Sequence, residues 1–328
     1  MTTYVIRRLI QASIVVVIVT WLVFLAMNAL PGDPIYIYIT RTEADLGALD
    51  KITPEQMAAL RAQFGLDKPL HVQYVNWIGG LLRGQWGTSV YYKEDMAELL
   101  RQRLPVSLYF NIIAFFLTSL VGWPLGIIAA LKRGTPWDST IIAVSNLGLT
   151  IPSFWLGIML IYVFGFKLGW LPIYGYTSPF ENFGLSIKQL LMPLTCLTIG
   201  GFGGSARLMR SCMLEVLNQD YLRTARSKGL KERVIIMRHA LKNSLILPIT
   251  GKGMALANIL SGSVLVETVF NIPGVGRLSV DAVFSKDYAI VMGVVLVGAV
   301  MLVLANLLVD ITYGWLDPRI RLGRRGGV

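Results

Sequence analysis

Asp220-Tyr221-Leu222-Arg223-Thr224-Ala225-Arg226-Ser227-Lys228-Gly229-Leu230, continued by His239-Ala240-Leu241-Lys242-Asn243 and reaching Pro248, is a basic, water-loving segment in an otherwise strongly apolar chain. Its pattern is that of a short capped helix. Asp220 is a good N-cap residue, Tyr221 to Ser227 span two turns, and Gly229 stands where a left-handed residue ends a helix. Arg226 and Lys228 fall in the last turn, where the helix dipole favours positive charge. Leu214, Leu217, Tyr221 and Ala225 recur at three- and four-residue steps and predict one apolar stripe, with Arg223 and Arg226 on another face. A helix that buries one side and presents arginines on the other suits a partner's groove. The plainer reading is a basic loop lying against anionic lipid headgroups.

The surrounding chain explains why such a segment stands out. It has 328 residues, 54% hydrophobic and only 15% charged, against about 25% charged in an average soluble domain. Six apolar runs approach or exceed the ~20 residues that cross a bilayer as a helix: Leu9–Leu30, Pro105–Leu131, Ser139–Phe166, Leu190–Met209, Leu245–Val266 and Tyr288–Val309. The first is too long for the apolar core of a cleaved leader and is expected to be retained. The fold class predicted is therefore an all-α polytopic membrane protein with six spans.

Charge placement gives the orientation. Between Arg207 and Asn243 lie nine Lys or Arg against three acids, whereas Pro31–Leu104 holds eight basic and nine acidic residues. Arg7 and Arg8, Lys132 and Arg133, the 212–243 loop, and Arg319, Arg321, Arg324 and Arg325 all fall on one side of a six-span chain. That side is cytoplasmic by the positive-inside rule, so both termini are expected inside. The same rule accounts for the net charge of +11 without nucleic acid as a partner. The expected divisions are 1–30 for the N-terminus and first span, 31–104 for an external domain, 105–316 for a five-span core, and 317–328 for a basic tail.

Within the external segment, Thr53-Pro54-Glu55-Gln56 reads as an N-cap, a proline at the first helical position and a capping-box glutamine. Gly65 is expected to end that helix, and a second is expected near His71–Leu82. Pro31-Gly32-Asp33-Pro34 closes the first span. Glu267, Pro273, Gly274 and Gly276 mark an external turn that either gates a pathway or caps spans.

The spans are nearly free of charge. Lys252, close to the start of the fifth span, is expected to snorkel to the cytoplasmic surface. Proton- and ion-driven carriers usually use intramembrane carboxylates or histidines as relays, so the driving force is expected from elsewhere. No phosphate-binding loop with its lysine occurs. Gly200-Gly201-Phe202-Gly203-Gly204-Ser205 reads as a small-residue surface for close helix packing. Cys196 and Cys212 imply neither a disulfide framework nor a metal site, and His71 and His239 fall on opposite sides of the bilayer. Asn258, Ser261 and Ser263 line a polar path or, alternatively, make helix-packing contacts.

Taken in order along six spans, these motifs resemble the membrane permease subunits of ATP-binding-cassette importers, in the dipeptide/oligopeptide group with its nickel and glutathione relatives. The segment Asp220–Leu230 with His239–Asn243 resembles that group's coupling motif. Ile6-Arg7-Arg8-Leu9, Pro31–Pro34, Gly65-Leu66-Asp67-Lys68-Pro69, Gly87-Thr88-Ser89, Pro273–Gly276, Leu308-Val309-Asp310 and Asp317-Pro318-Arg319 are similar to the family's other landmarks. The wider family's Glu-Ala-Ala is here Arg223-Thr224-Ala225, as is usual in the peptide group. The large insert after the first span is similar to the first of the two permeases in such systems.

The resemblance implies a type I importer permease fold in a bacterial cytoplasmic (inner) membrane and a non-catalytic transport subunit. It implies a second homologous permease as heterodimer partner, two ATPase subunits that hold ATP and Mg, and an extracytoplasmic solute-binding protein. The cargo implied is short peptides. Alternatives within the resemblance are nickel chelates, glutathione, opines and oligosaccharides, and outside it an ion-coupled secondary transporter. Tyr221, Leu222 and Ala225 are then expected to pack in an ATPase groove. Arg223, Arg226 and Lys228 are expected to supply polar and charge contacts, Gly229 to permit the turn back to the membrane, and Thr224 and Ser227 to belong to the same ATPase-coupling segment.

Overall fold

A computed structural model describes residues 2–29, 53–63, 66–256, 259 and 263–316, the side chains of 2–9, 12, 60, 63, 254 and 308–316 excepted. Its helices are α1 (Thr2–Ala29), α2 (Pro54–Gln63), α3 (Leu70–Leu82), α4 (Met96–Leu131), α5 (Pro136–Thr150), α6 (Ser153–Leu160), α7 (Phe183–Leu217), α8 (Asp220–Ser227), α9 (Ile246–Leu256), α10 (Val264–Val269), α11 (Val275–Phe284) and α12 (Tyr288–Leu316). Short helical and π-helical turns join α8 to α9 through Glu232–Val234, Ile235–Ala240 and Leu241–Ser244. No strand occurs among the described residues, only an isolated antiparallel bridge between Thr88 and Asp95.

Among the described residues, three helices are long and apolar enough to cross a membrane: α4, α7 and α12 over Tyr288–Leu307. The expected third span, Ser139–Phe166, is not one straight rod. It bends by 99° between Pro136–Thr150 and Ser153–Lys167. Pro152 is the physical cause: it has no N–H to give to the preceding turn, and it pushes Ile151 out of helical geometry, to ψ 121°. The expected fifth span is described as α9 and, further on, α10; a single continuous helix is not seen over the described residues.

Helix starts follow side-chain chemistry. At α2 the capping box forms as expected, with Gln56 N–H on Thr53 Oγ1 at 3.3 Å and Thr53 N–H on Gln56 Oε1 at 3.0 Å. Asn182 Oδ1 accepts from Leu185 N–H at 3.0 Å before α7, and Asp287 Oδ1 accepts from Ile290 N–H at 3.3 Å before α12. Pro31–Pro34, Gly65 and the tail 317–328 lie outside the described residues.

The chain divides into two compact units, residues 1–105 with 274–307 and residues 106–273 with 308–328. In the first, Met96, Leu99, Leu278, Ala282 and Ile290 are almost wholly buried and form the centre of an apolar cluster. Tyr74 of α3 docks on α1, its hydroxyl 2.8 Å from Thr20 Oγ1 and its ring edge-on to Trp21 at 4.8 Å. Asp287 ties Ser89 into this unit, accepting from its hydroxyl at 2.7 Å and from Tyr91 N–H at 3.1 Å.

In the second unit α7 is the central element. Two of its glycines behave as the small-residue surface expected: a Cβ on Gly201 would stand 2.6 Å from Thr118 of α4, and one on Gly203 would strike the Ser145 carbonyl of α5, whereas Gly200 and Gly204 have nothing within 4 Å. Backbones approach closely because nothing projects between them. Phe110, Met192, Cys196, Phe270 and Ile272 form one buried cluster of this unit. Ala130, Met213, Leu222, Ala225, Ile235 and Ala240 form another.

Candidate coupling segment and interior site

The basic segment is helical from Asp220 to Ser227, with Gln219, not Asp220, at the N-cap and no side-chain cap bond. Asp220 stands one residue inside, where its carboxylate still meets the positive end of the helix dipole; it also lies 3.4 Å from Arg223 Nη1. At the other end Gly229 takes φ +76°. Gly229 N–H then bonds Arg226 O at 2.9 Å and Leu230 N–H reaches Ala225 O at 3.4 Å. That pair of bonds is a Schellman termination, which a residue lacking Cβ reaches without steric cost.

Burial reverses part of the expectation for the face of α8. Leu222 is wholly buried and Ala225 8% exposed, and both pack on Ala130, Met213, Ile235 and Ala240 of the same chain. They fasten the helix inward and do not present themselves to a partner's groove. The stripe expected over Leu214, Leu217, Tyr221 and Ala225 is interrupted because α7 stops at Leu217 and the chain turns at Asn218 and Gln219. Tyr221 is accordingly 42% exposed. Its hydroxyl accepts from Asn243 Nδ2 at 2.7 Å and reaches the His239 carbonyl at 3.5 Å.

The outward face is polar. Arg223, Thr224, Arg226, Ser227, Lys228 and Gly229 are all exposed. Thr224 and Ser227 hydroxyls bond back to the carbonyls of Asp220 and Arg223, at 3.2 and 3.1 Å. Arg226 holds Glu232 across the Gly229 turn through two bonds, Nε to Oε2 at 3.2 Å and Nη2 to Oε1 at 2.9 Å. This two-pronged hydrogen bond from Arg226 keeps the Glu232 carboxyl below the ordinary carboxylate range. Helix, turn and following segment are thereby one braced unit.

A second constellation lies inside the same unit. Glu267, expected at an external turn, is instead wholly buried on α10. Ser107 Oγ donates to its Oε1 at 2.9 Å and Ser263 Oγ at 2.8 Å. Asn111 Nδ2 donates to Ser263 Oγ and to the Ser107 carbonyl, each at 2.8 Å. A carboxyl can be buried only with such donors around it. Ser263, read as lining a polar path or making helix-packing contacts, is a wholly buried member of this network, while Asn258 and Ser261 lie outside the described residues. Gly274 precedes α11 in extended geometry and Gly276 lies in its first turn, both buried, with Pro273 half-buried before them.

Lys252 also departs from expectation. Its ammonium does not snorkel away from the helices; it donates to the Phe115 carbonyl at 3.3 Å and to Thr118 Oγ1, and sits 4.9 Å from the Phe115 ring centre. It lines a cavity of about 410 Å³ between α4, α7 and α9.

This arrangement of long apolar helices with one braced basic segment meets a specific family match. Residues 122–322 match the family described as binding-protein-dependent transport system inner membrane component, and residues 1–111 match its N-terminal domain. The chain belongs to that family. This inner membrane component is 38% identical over 322 residues to a peptide transport system permease protein of Brucella abortus, covering 98% of this chain and 99% of the relative. It is 36% identical over 323 residues to the oligopeptide transport system permease protein AppB of Bacillus subtilis, again over 98% and 99% of the two chains. A chain of the MetNI methionine ABC transporter, solved in inward-facing conformations, shares the fold with a TM-score of 0.55 at 20% identity, covering 68% of this chain and 98% of that one. A chain of an amino acid ABC transporter aligns at 0.50 and 15% over 66% and 93%.

The inner membrane component is a transport subunit, and ATP hydrolysis belongs to separate subunits in importers of this family. Sequence reading of the component missed Ser107 and Asn111, although two polar residues four apart in an apolar run share a helix face and signal a buried bond network. It also missed Asp138 and Arg210, whose pairing joins α5 to α7 across 72 positions and leaves no local pattern.

Proposed function

We propose that this chain is the first-type permease of an ATP-driven importer of short peptides, working as a heterodimer with a second homologous permease. Two ATPase subunits bind on the cytoplasmic face, and an extracytoplasmic binding protein delivers cargo to the opposite face. Both termini are cytoplasmic, 31–104 forms an external domain, 105–316 the core with its coupling loop 212–243, and 317–328 a basic tail. The observation that carries the reading is the build of α8. Leu222 and Ala225 anchor it to the chain's own interior, while Arg223, Thr224, Ser227 and Lys228 face outward. A helix so fastened transmits a push from a partner to the helices behind it, because packed interiors shift as units instead of deforming.

In this scheme nucleotide-driven closure of the ATPases moves α8 and, through Met213 and Ala130, the ends of α7 and α4. Peptide as cargo is supported by the permeases this chain resembles over nearly its whole length. The test is co-expression with the neighbouring genes, gentle purification and reconstitution into proteoliposomes. Co-purification of a second permease and ATPases, with ATP-dependent uptake of labelled trialanine, is the expected result. A solitary chain, or uptake abolished by an uncoupler and indifferent to ATP, overturns it.

A further inference from the structure

The cavity between α4, α7 and α9 carries a charge that the proposed mechanism has not used. Its volume of about 410 Å³ falls in the range of small-molecule sites, ~300–1,000 Å³. Among the described residues its walls are mostly apolar, Phe115, Trp123 and Leu208 among them, and include no carboxylate; Lys252 is their one cation. An ammonium among membrane-spanning helices is costly and by default functional. A neutral hydroxyl in its place would join α9 to Thr118 without that desolvation cost.

The donor count points the same way. An ammonium has three donors. The Phe115 carbonyl and Thr118 hydroxyl take two, and among the described residues nothing accepts the third. Asn111, on the same wall, spends its amide nitrogen on the Ser107 carbonyl and Ser263. The carbonyl acceptor fixes which end of that amide is the nitrogen, so its oxygen is the end left for a ligand N–H. Apolar walls with one cation and one amide acceptor match an amphipathic anion that also carries N–H groups.

We propose that Lys252 is a cargo-binding residue: it receives the terminal carboxylate of a peptide crossing the membrane, whose apolar side chains rest on Phe115 and Trp123. This rests on the peptide-import reading above. The charge-assisted bond selects cargo with a free carboxylate, and the engagement of Lys252 with Phe115 and Thr118 holds the ammonium in place between cargo molecules.

The test uses the whole reconstituted importer and labelled trialanine. Lys252→Met is expected to lower the initial uptake rate about tenfold or more, the loss of one charge-assisted hydrogen bond. In an Ala255→Cys importer, which keeps Lys252 and places the thiol on the same helix and cavity wall, an anionic methanethiosulfonate reagent is expected to modify the new thiol, and trialanine during turnover to slow that modification at least threefold. The wild-type chain, with Cys196 and Cys212, sets the background. If Lys252→Met does not assemble, the Ala255→Cys importer, with Lys252 in place, still reports protection. Uptake by Lys252→Met within twofold of wild type, or modification indifferent to trialanine, overturns the assignment of Lys252 and leaves the import reading standing. A wild-type importer that takes up no trialanine overturns the peptide reading and this inference together.

Discussion

Arg210 of α7 grips Asp138 of α5 through two parallel hydrogen bonds, Nε to Oδ1 at 2.7 Å and Nη2 to Oδ2 at 2.8 Å. Asp138 also accepts from Gly134 N–H at 3.1 Å, so one carboxylate fixes the α4–α5 turn, the start of α5 and the C-terminal part of α7. Its side chain is 9% exposed and that of Arg210 26%. Arg210→Ala strands a buried carboxylate and is expected to cost about 3 kcal/mol, the low end of the range because Arg210 retains some solvent. Arg210→Lys recovers only part, since an ammonium cannot repeat the two-pronged geometry. Thermal melting of the purified complex, with the order wild type, then Lys, then Ala, checks this.

Gly229 tests the turn after α8. At φ +76° an L-residue with Cβ costs about 1–2 kcal/mol. Gly229→Ala is expected to assemble and to lower uptake per ATP hydrolysed, while Gly134→Ala, at φ +78° in the α4–α5 turn, leaves that ratio unchanged. Parallel uptake and ATPase measurements give the ratio; equal ratios for both variants refute the special role of the α8 turn.

Leu222 and Arg223 are adjacent but face opposite ways. Leu222→Ala removes a wholly buried side chain and is expected to destabilise the subunit by about 2–5 kcal/mol. Arg223→Ala, exposed and, among the described residues, paired only with Asp220 one helical turn back, should alter stability by less than about 0.5 kcal/mol yet weaken retention of ATPases. Melting temperature and co-purification, read on the same preparations, separate the two effects.

The Arg226–Glu232 brace has a pH signature. Because Arg226 lowers the folded carboxyl below its ordinary value of 4.5, the brace contributes fully above that value and is lost as pH falls through the lowered one. Both side chains are largely exposed, 41% and 55%, so its contribution is at most about 1 kcal/mol. Amide exchange over 220–234, corrected for intrinsic rates, should be constant from pH 8 to 5 and rise below 4. Glu232→Gln should show the raised rate already at pH 7.

Asp287 combines a helix cap with a cross-link to Ser89. Asp287→Ala removes the acceptor of Ile290 N–H, Tyr91 N–H and Ser89 Oγ, and is expected to cost about 2–3 kcal/mol. Faster proteolysis between Gly87 and Asp95 is the readout, and an unchanged rate would show that the link contributes little.

The amino-acid order alone determined the features that are local. Apolar runs longer than a bilayer crossing specify α4, α7 and α12; Thr53 with Gln56 specifies the start of α2; Gly229 specifies the end of α8. Each follows from bonds within a few residues, where backbone geometry leaves little choice. The direction a side chain faces was decided only in three dimensions. Periodicity placed Tyr221 with Ala225, but the break at Asn218 and Gln219 restarted the helical phase and turned Leu222 inward in its stead. Glu267 read as part of an external turn until Ser107, 160 positions away, supplied a donor that lets a carboxyl lie buried. Lys252 read as a snorkelling residue until α4 offered it the Phe115 carbonyl and Thr118. In each case the outcome depends on whether a distant helix brings a bonding partner, and desolvation makes that partner the difference between a charge inside and a charge at the surface.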